Sequence, residues 1–226
     1  MLIQIYEIGS PQEAHALSAM GVDHIGILVG DGRFPREQSI AAALPIMSAI
    51  GGGVKSSVLC LSPDIALLRR ALDGLRPDIL HLGCAPHLLE PEAVADLKRH
   101  YPEQQIMRSI PVGDESSIVL ARSYEAIADF LLLDSYDAGD NQIGATGATH
   151  NWDLDRRIVE SVRIPVIVAG GLGPDNARAA IAAARPAGVD SKTRTDKPDG
   201  SHTKDLARVR AFVAAVHGFG SAADPD

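Results

Sequence analysis

Ile164-Pro-Val-Ile-Val-Ala-Gly-Gly-Leu-Gly-Pro-Asp-Asn176 opens the stretch that decides the fold. Val166 to Ala169 form a continuous apolar run, as a strand covered on both faces requires. Gly170 and Gly171 end it without side chains, which lets the backbone approach a ligand closely and adopt φ > 0. Pro174, Asp175 and Asn176 then open a helix over Ala177–Ala184. A second short strand, Ala187–Asp190, runs into Ser191, Lys192 and Thr193. Two neighbouring strand ends carrying glycines, hydroxyls and a lysine suit a phosphate, which takes backbone N–H groups and positive charge. In an eight-stranded (β/α) barrel, the loops after strands 7 and 8 hold such a group.

The chain before this stretch repeats the same alternation. Strands are predicted at Leu2–Tyr6, His24–Val29, Val54–Leu61, Ile79–Leu82, Gln105–Ile110 and Phe130–Leu133. Helices are predicted at about Pro11–Met20, Arg36–Ile50, Pro63–Leu75, Pro91–His100, Ser116–Ala128, Asp153–Val162 and Lys204–Val216. An aspartate stands directly before an apolar strand three times, at Asp23, Asp78 and Asp129. The pattern predicts a single (β/α)8 TIM barrel over residues 1–217, followed by a flexible tail at 218–226. A doubly wound open sheet usually carries a glycine-rich turn after its first strand, and Glu7-Ile8-Gly9-Ser10-Pro11 is not one.

Composition narrows the function. At 226 residues and 46% apolar, the chain can bury a sizeable core without staples. No uncharged apolar run approaches the length of a membrane span, and the N-terminus lacks the basic start of a signal peptide. A net charge of −8 argues against nucleic acid as a partner while leaving an anionic small substrate open. Two cysteines make no disulfide framework, so a cytoplasmic location is expected.

Barrel chemistry sits at the C-terminal ends of the strands. Those ends carry Tyr6 and Glu7, Arg33, Cys60, His81 and Cys84, Arg108, and Asp134. Asp134 closes Phe130-Leu-Leu-Leu133, where an apolar rim raises a carboxyl's pKa and suits a general acid. Cys60, His81 and Cys84 form a conceivable zinc set, but three ligands at irregular spacing make a poor one, and no metal is expected.

Phe130-Leu-Leu-Leu-Asp-Ser135, Gly144-Ala-Thr-Gly147, Asn151-Trp-Asp-Leu154, Ala169-Gly-Gly-Leu172 and Gly188-Val-Asp190 together resemble the phosphoribosylanthranilate isomerase family. The resemblance is strongest from about residue 128 to 190. It implies a (β/α)8 barrel of tryptophan biosynthesis that converts an N-linked ribose 5-phosphate from aminoaldose to aminoketose without a cofactor. It implies a small phosphorylated substrate and a monomer or homodimer. Carried over position by position, Asp134 matches the general acid. Arg33 matches the arginine that holds the anthranilate carboxylate, with Arg36 as its competitor. Gly170 and Gly171 match the phosphate turn after strand seven. After strand eight Ser191, Lys192 and Thr193, with Arg194, replace the family's Ser-Ser-Gly-type turn and are expected to hold the phosphate with charge added by Lys192 or Arg194. Asp190 matches the aspartate ending strand eight, and Thr146 and Gly147 match the loop after strand six. His81 and Arg108 complete the expected substrate contacts.

The departures concern the base. The family opens Lys-Ile-Cys-Gly, with the cysteine as general base, where this chain has Gln4-Ile5-Tyr6-Glu7. The family's Gln-Leu-His-Gly is here His81-Leu82-Gly83-Cys84. Three substitutes stand open. Tyr6 serves only with a strongly depressed pKa, since a phenol near 10 is a poor base at neutrality. Glu7 lies on the wrong face by alternation unless the strand twists out at its end. Cys60 or Cys84 serves if a thiolate forms. An isomerase with a displaced base, a relative acting on another sugar phosphate, and a catalytically silent phosphate-binding barrel are therefore the three functional expectations.

Overall fold

The computed structural model describes residues 1–137, 142–143 and 151–220. Eight parallel strands form its wall: β1 (Leu2–Ile5), β2 (His24–Leu28), β3 (Lys55–Cys60), β4 (Ile79–Leu82), β5 (Gln105–Val112), β6 (Phe130–Asp137), β8 (Val166–Val168) and β9 (Gly188–Ser191). They run in the order β5-β4-β3-β2-β1-β9-β8-β6, and the β5–β6 pairing closes the ring. A two-residue strand, β7 (Gln142–Ile143), pairs antiparallel with the end of β6. Outside the wall lie α1 (Pro11–Ser18), α2 (Ile40–Ser48), α3 (Ile65–Leu75), α4 (Pro91–His100), α5 (Ser116–Tyr124), α6 (Trp152–Ser161), α7 (Ala177–Ala184) and α8 (Leu206–Gly220). The chain is a TIM barrel, as its alternation predicts.

The three strand-entry aspartates share one physical task. Asp23 accepts the backbone N–H of Ile3 at 2.7 Å, Asp78 that of Ser56 at 2.8 Å, and Asp129 that of Ile106 at 2.8 Å. Each carboxylate precedes an even strand and satisfies an N–H near the start of the odd strand before it. A backbone donor at the barrel's floor would otherwise lose its partner. These bonds set the register of β1 with β2, β3 with β4, and β5 with β6.

Alternation along each strand divides the side chains between two cores. Ile3, Ile5, Ile25, Ile27, Val58, Cys60, Leu131 and Val168 belong to the large layer between wall and helices. Tyr6, Ile79, Met107, Phe130, Leu132 and Ile167 pack in a smaller cluster inside the barrel. Tyr6 fits there because β2 supplies Gly26 beside it. A Cβ on Gly26 would stand 2.0 Å from the tyrosine ring.

Several boundaries differ from expectation, three of them at the cavity's rim or at the C-terminus. Helix α2 starts at Ile40 under a Ser39 cap, not at Arg36. Arg36 sits at φ 66, and the Glu37 carboxylate grips the N–H groups of Gly32 and Phe34, so residues 32–37 form a loop. Strand β6 continues to Asp137 because Asp134 and Ser135 still pair with Pro111 and Val112 of β5. Helix α8 runs to Gly220, into the segment expected to be a tail, and Phe219 packs against the core. Residues 221–226 lie outside the described residues.

Candidate active site

The C-terminal ends of the strands surround a cavity of about 400 Å³. Its apolar lining comes from Leu28, Phe34, Pro35, Leu59, Leu61 and Leu88. Its polar lining includes Glu7, Arg36, Asp134, Asp190 and Lys192, with Tyr6, His81 and Ser109. Odd and even strands both contribute, as the barrel geometry requires.

Tyr6, the residue expected at the position of the family's base, is locked. Its hydroxyl lies 2.6 Å from Ser57 Oγ and 2.6 Å from His81 Nδ1, and His81 Nε2 lies 2.7 Å from Ser109 Oγ. One hydrogen-bonded chain thus ties β1, β3, β4 and β5 beneath the cavity. Burial raises the Tyr6 pKa well above the ordinary phenol value. Burial, with the charge of Arg108, also pushes His81 down to about 3. The depressed phenol that would make Tyr6 a base is not found: the side chain is a neutral hydrogen-bonding group. His81 faces the cavity with both ring nitrogens already bonded to protein.

Glu7 breaks the alternation that would turn it outward. Its φ is 59, in the left-handed region that favours glycine. Its carboxylate therefore joins Tyr6 in lining the cavity. Arg36 holds it in a two-point pair, Nε to Oε2 at 2.6 Å and Nη2 to Oε1 at 3.3 Å. Lys192 Nζ lies 3.3 Å from the same carboxylate and 3.2 Å from Asp196, which in turn accepts from the buried Lys204 at 2.5 Å. Burial pushes the Glu7 carboxyl up, but Arg36 and Lys192 outweigh it and leave the pKa below the ordinary value. The network runs from the mouth to the start of α8. Asp196 and Lys204 were not among the expected site residues, and their only sequence signal is alternating charge in the loop after β9.

Two carboxyls on nearby strands also line the cavity. Asp134, inside β6, accepts the N–H of Ser135 at 2.8 Å. Asp190, inside β9, has its Oδ1 buried without a hydrogen-bond partner among the described residues. Burial, reinforced by the charge of Asp134, raises the Asp190 pKa to about 8. At neutral pH Asp190 therefore keeps its proton, chiefly because burial disfavours its charged form.

The glycine bend lies at the same end. Gly170 and Gly171 have φ of 79 and 60, and Asn176 clips the bend by donating to the Gly171 carbonyl at 3.0 Å. Arg194 reaches from the loop after β9 to Asp175 before α7, joining the two turns expected to hold phosphate. Lys192 and Thr193 occupy the neighbouring turn, with Lys192 held between two carboxylates.

Several expected site residues are elsewhere. Cys60 points into the helix-facing core, and burial pushes its thiol up to about 12, so it forms no thiolate for the cavity. Cys84 does line the cavity, yet burial raises its pKa as well. Arg108 is fully buried on the outer face of β5. Its Nη1 donates to the carbonyls of Leu82 and Cys84 at 2.6 and 2.8 Å, and its guanidinium lies 5.3 Å from the Tyr124 ring centre. The reason is parity, since Met107 and Ser109 take the inward positions. Ser191 also faces outward and donates to the Leu172 carbonyl at 2.6 Å. Arg33 is exposed and pairs with Asp31, while Arg36 reaches the cavity. Cys60 and His81 thus lie on opposite faces of the wall, and no group of three metal-binding side chains exists among the described residues. Thr146 and Gly147 lie outside the described residues.

Comparison with known proteins agrees with this geometry. The family model for N-(5'-phosphoribosyl)anthranilate (PRA) isomerase matches residues 63–215. The N-(5'-phosphoribosyl)anthranilate isomerase of Methanocella arvoryzae is 35% identical over 95% of this chain and 97% of the relative. That of Afipia carboxidovorans is 29% identical over 100% of this chain and 93% of the relative. Among solved structures, the Thermus thermophilus enzyme superposes with a TM-score of 0.79 at 21% identity, covering 96% of this chain and 99% of that one. Another such isomerase, solved with reduced 1-(o-carboxyphenylamino)-1-deoxyribulose 5-phosphate, gives 0.76 at 19% identity, covering 96% and 100%. With a family match over more than half its length and a relative aligned nearly end to end, this chain belongs to the phosphoribosylanthranilate isomerase family.

Proposed function

We propose that the chain isomerises N-(5'-phosphoribosyl)anthranilate to its aminoketose, with Asp134 as the general acid that protonates the ring oxygen. The observation that carries this is the mixed lining of the cavity. Its apolar residues together with Arg36 suit an aromatic ring bearing a carboxylate, which a guanidinium binds through two hydrogen bonds. In the same cavity Asp190 keeps a proton near Asp134 for the sugar end, and the Gly170–Gly171 bend with Lys192 and Thr193 suits the phosphate. Proton transfer alone completes this chemistry, with no cofactor assigned a role. A biosynthetic substrate fits a cytoplasmic enzyme, working as a monomer or homodimer. Among the described residues no helix is long and apolar enough to cross a membrane.

The test is steady-state turnover of N-(5'-phosphoribosyl)anthranilate by the wild type and by Asp134→Asn. Expected is measurable turnover that falls by about 10²–10⁴-fold in the variant. Turnover equal in both removes Asp134 from the chemistry. A second function, isomerisation of a different sugar phosphate, is favoured by one observation: Glu7 already occupies Arg36. It is supported if the anthranilate compound is inert while a ribosyl or ketose phosphate without a carboxylate is converted. Tight binding of such ligands without turnover, unchanged in Asp134→Asn, indicates a silent barrel.

A further inference from the structure

The family's base is missing from this chain, and the pocket contains an ion pair in the place where substrate is expected to bind. Both observations meet at Glu7. It is the residue after the locked Tyr6, and its carboxylate lines the cavity. Its partner Arg36 lines the same cavity. Both are non-glycine residues held at positive φ, 59 and 66. Backbone strain of this kind collects where a site needs a particular side-chain placement. Here two strained residues point their charged groups at one another across the mouth. Glu7 is also close enough to Asp190 for its charge to raise that carboxyl, as Asp134 does, so three carboxyl groups converge on one space.

We infer that Glu7 is the base that replaces the family's cysteine, and that Arg36 is its latch: the substrate's aromatic carboxylate takes over Arg36 and releases Glu7 toward C2 of the sugar. This rests on the function proposed above. In the empty site Arg36 shields Glu7, and a carboxylate held by two hydrogen bonds is a weak proton acceptor. Exchange of one carboxylate for another at Arg36 keeps the charge balance and frees Glu7 only when a correct substrate is present.

The proton balance closes. Asp134 gives a proton to the ring oxygen as the C1–O bond breaks and the nitrogen lone pair forms C1=N⁺. Glu7 takes the proton from C2, and that electron pair forms C1=C2 while the C=N electrons return to nitrogen. Glu7 then returns its proton to C1 as the C2 hydroxyl gives its own to Asp134, which leaves the C2 ketone and both carboxyl groups as they began. No oxidant or further reactant enters.

The experiment compares wild type, Glu7→Gln, Glu7→Gly and Arg36→Gln on N-(5'-phosphoribosyl)anthranilate and on the corresponding phosphoribosyl aniline, which lacks the carboxylate. Glu7→Gln is expected to lower kcat at least about 100-fold while KM stays level or falls, because Arg36 is then less tightly held. Glu7→Gly suits the left-handed backbone, so a well-folded variant with the same loss separates chemistry from folding. The sharper sign concerns the aniline compound: Arg36→Gln should convert it faster than the wild type does, since the two-point grip of Arg36 is then gone and only Lys192 remains on Glu7. Wild-type turnover with kcat retained or raised in Glu7→Gln overturns the inference alone, as does an aniline compound converted no faster by Arg36→Gln. A wild type that neither converts the anthranilate compound nor binds reduced 1-(o-carboxyphenylamino)-1-deoxyribulose 5-phosphate overturns the proposed function, and this inference with it.

Discussion

Tyr6 shows how a large side chain can replace a small one without disturbing the wall. Gly26 leaves room for the ring, and Ser57 and His81 satisfy the hydroxyl. Tyr6→Phe removes the bridging oxygen and leaves two buried polar groups unpaired. A loss of about 1–3 kcal/mol is expected in denaturant unfolding, with kcat falling far less than in Asp134→Asn. No loss of stability would show that the chain from Ser57 to Ser109 carries no weight. The outward placement of Cys60, Arg108 and Ser191 was missed in the sequence, which reads all three as site residues. Leu59, Met107 and Asp190 beside them take the inward positions, and strand parity turns these three outward. Glu7 was legible only in part. Alternation gives it the wrong face, and a single left-handed residue leaves no trace in a periodic pattern. Its one signal is that the family's motif has glycine there. Arg36 was obscured by reading the helix as starting at it, although Ser39 is the better cap.

The eight-strand alternation could be read directly from apolar runs, because parallel strands covered on both faces need them. The strand-entry aspartates were visible as a repeat, but their bonding partners were not, since each reaches across about 20 residues of intervening helix. Asp78 illustrates the consequence. It accepts from both the backbone N–H and the hydroxyl of Ser56. Asp78→Ala should therefore cost about 1–3 kcal/mol, seen as a lower denaturation midpoint at unchanged slope. A midpoint that does not move would contradict the structural role given to the repeat. β6 is the opposite case. The apolar run ends at Leu133, yet pairing carries the strand on to Asp137, which local composition does not reveal.

For the barrel as a whole, the buried titratable groups predict how stability depends on pH. His81 and His24 are pushed down to about 3 and about 4, by burial first, from 6.5. Below pH 6.5 the unfolded chain binds protons there that the folded chain refuses, so their contribution is present above that pH and lost on acidification. Asp190 behaves in the opposite sense. Raised from 3.8 to about 8, it keeps a proton in the fold that the unfolded chain has released, so its contribution falls as pH rises through that window. With two histidines against one aspartate below pH 6.5, these groups together place the maximum near that pH. Asp190→Asn should flatten the decline between pH 6.5 and 8 in thermal melts, and an unchanged decline would refute the assignment. The same end of the barrel carries Asp134 and Asp190, the glycine bend proposed to hold phosphate, and an arginine in a cavity with a partly apolar lining. A crystal structure with reduced 1-(o-carboxyphenylamino)-1-deoxyribulose 5-phosphate bound tests it most directly. The phosphate is expected at Gly170–Gly171 and Lys192–Thr193, the carboxylate on Arg36, and the reacting carbons between Glu7 and Asp134. A ligand seated with Asp134 turned away from it, or with its phosphate far from the Gly170–Gly171 bend, would contradict the assignment.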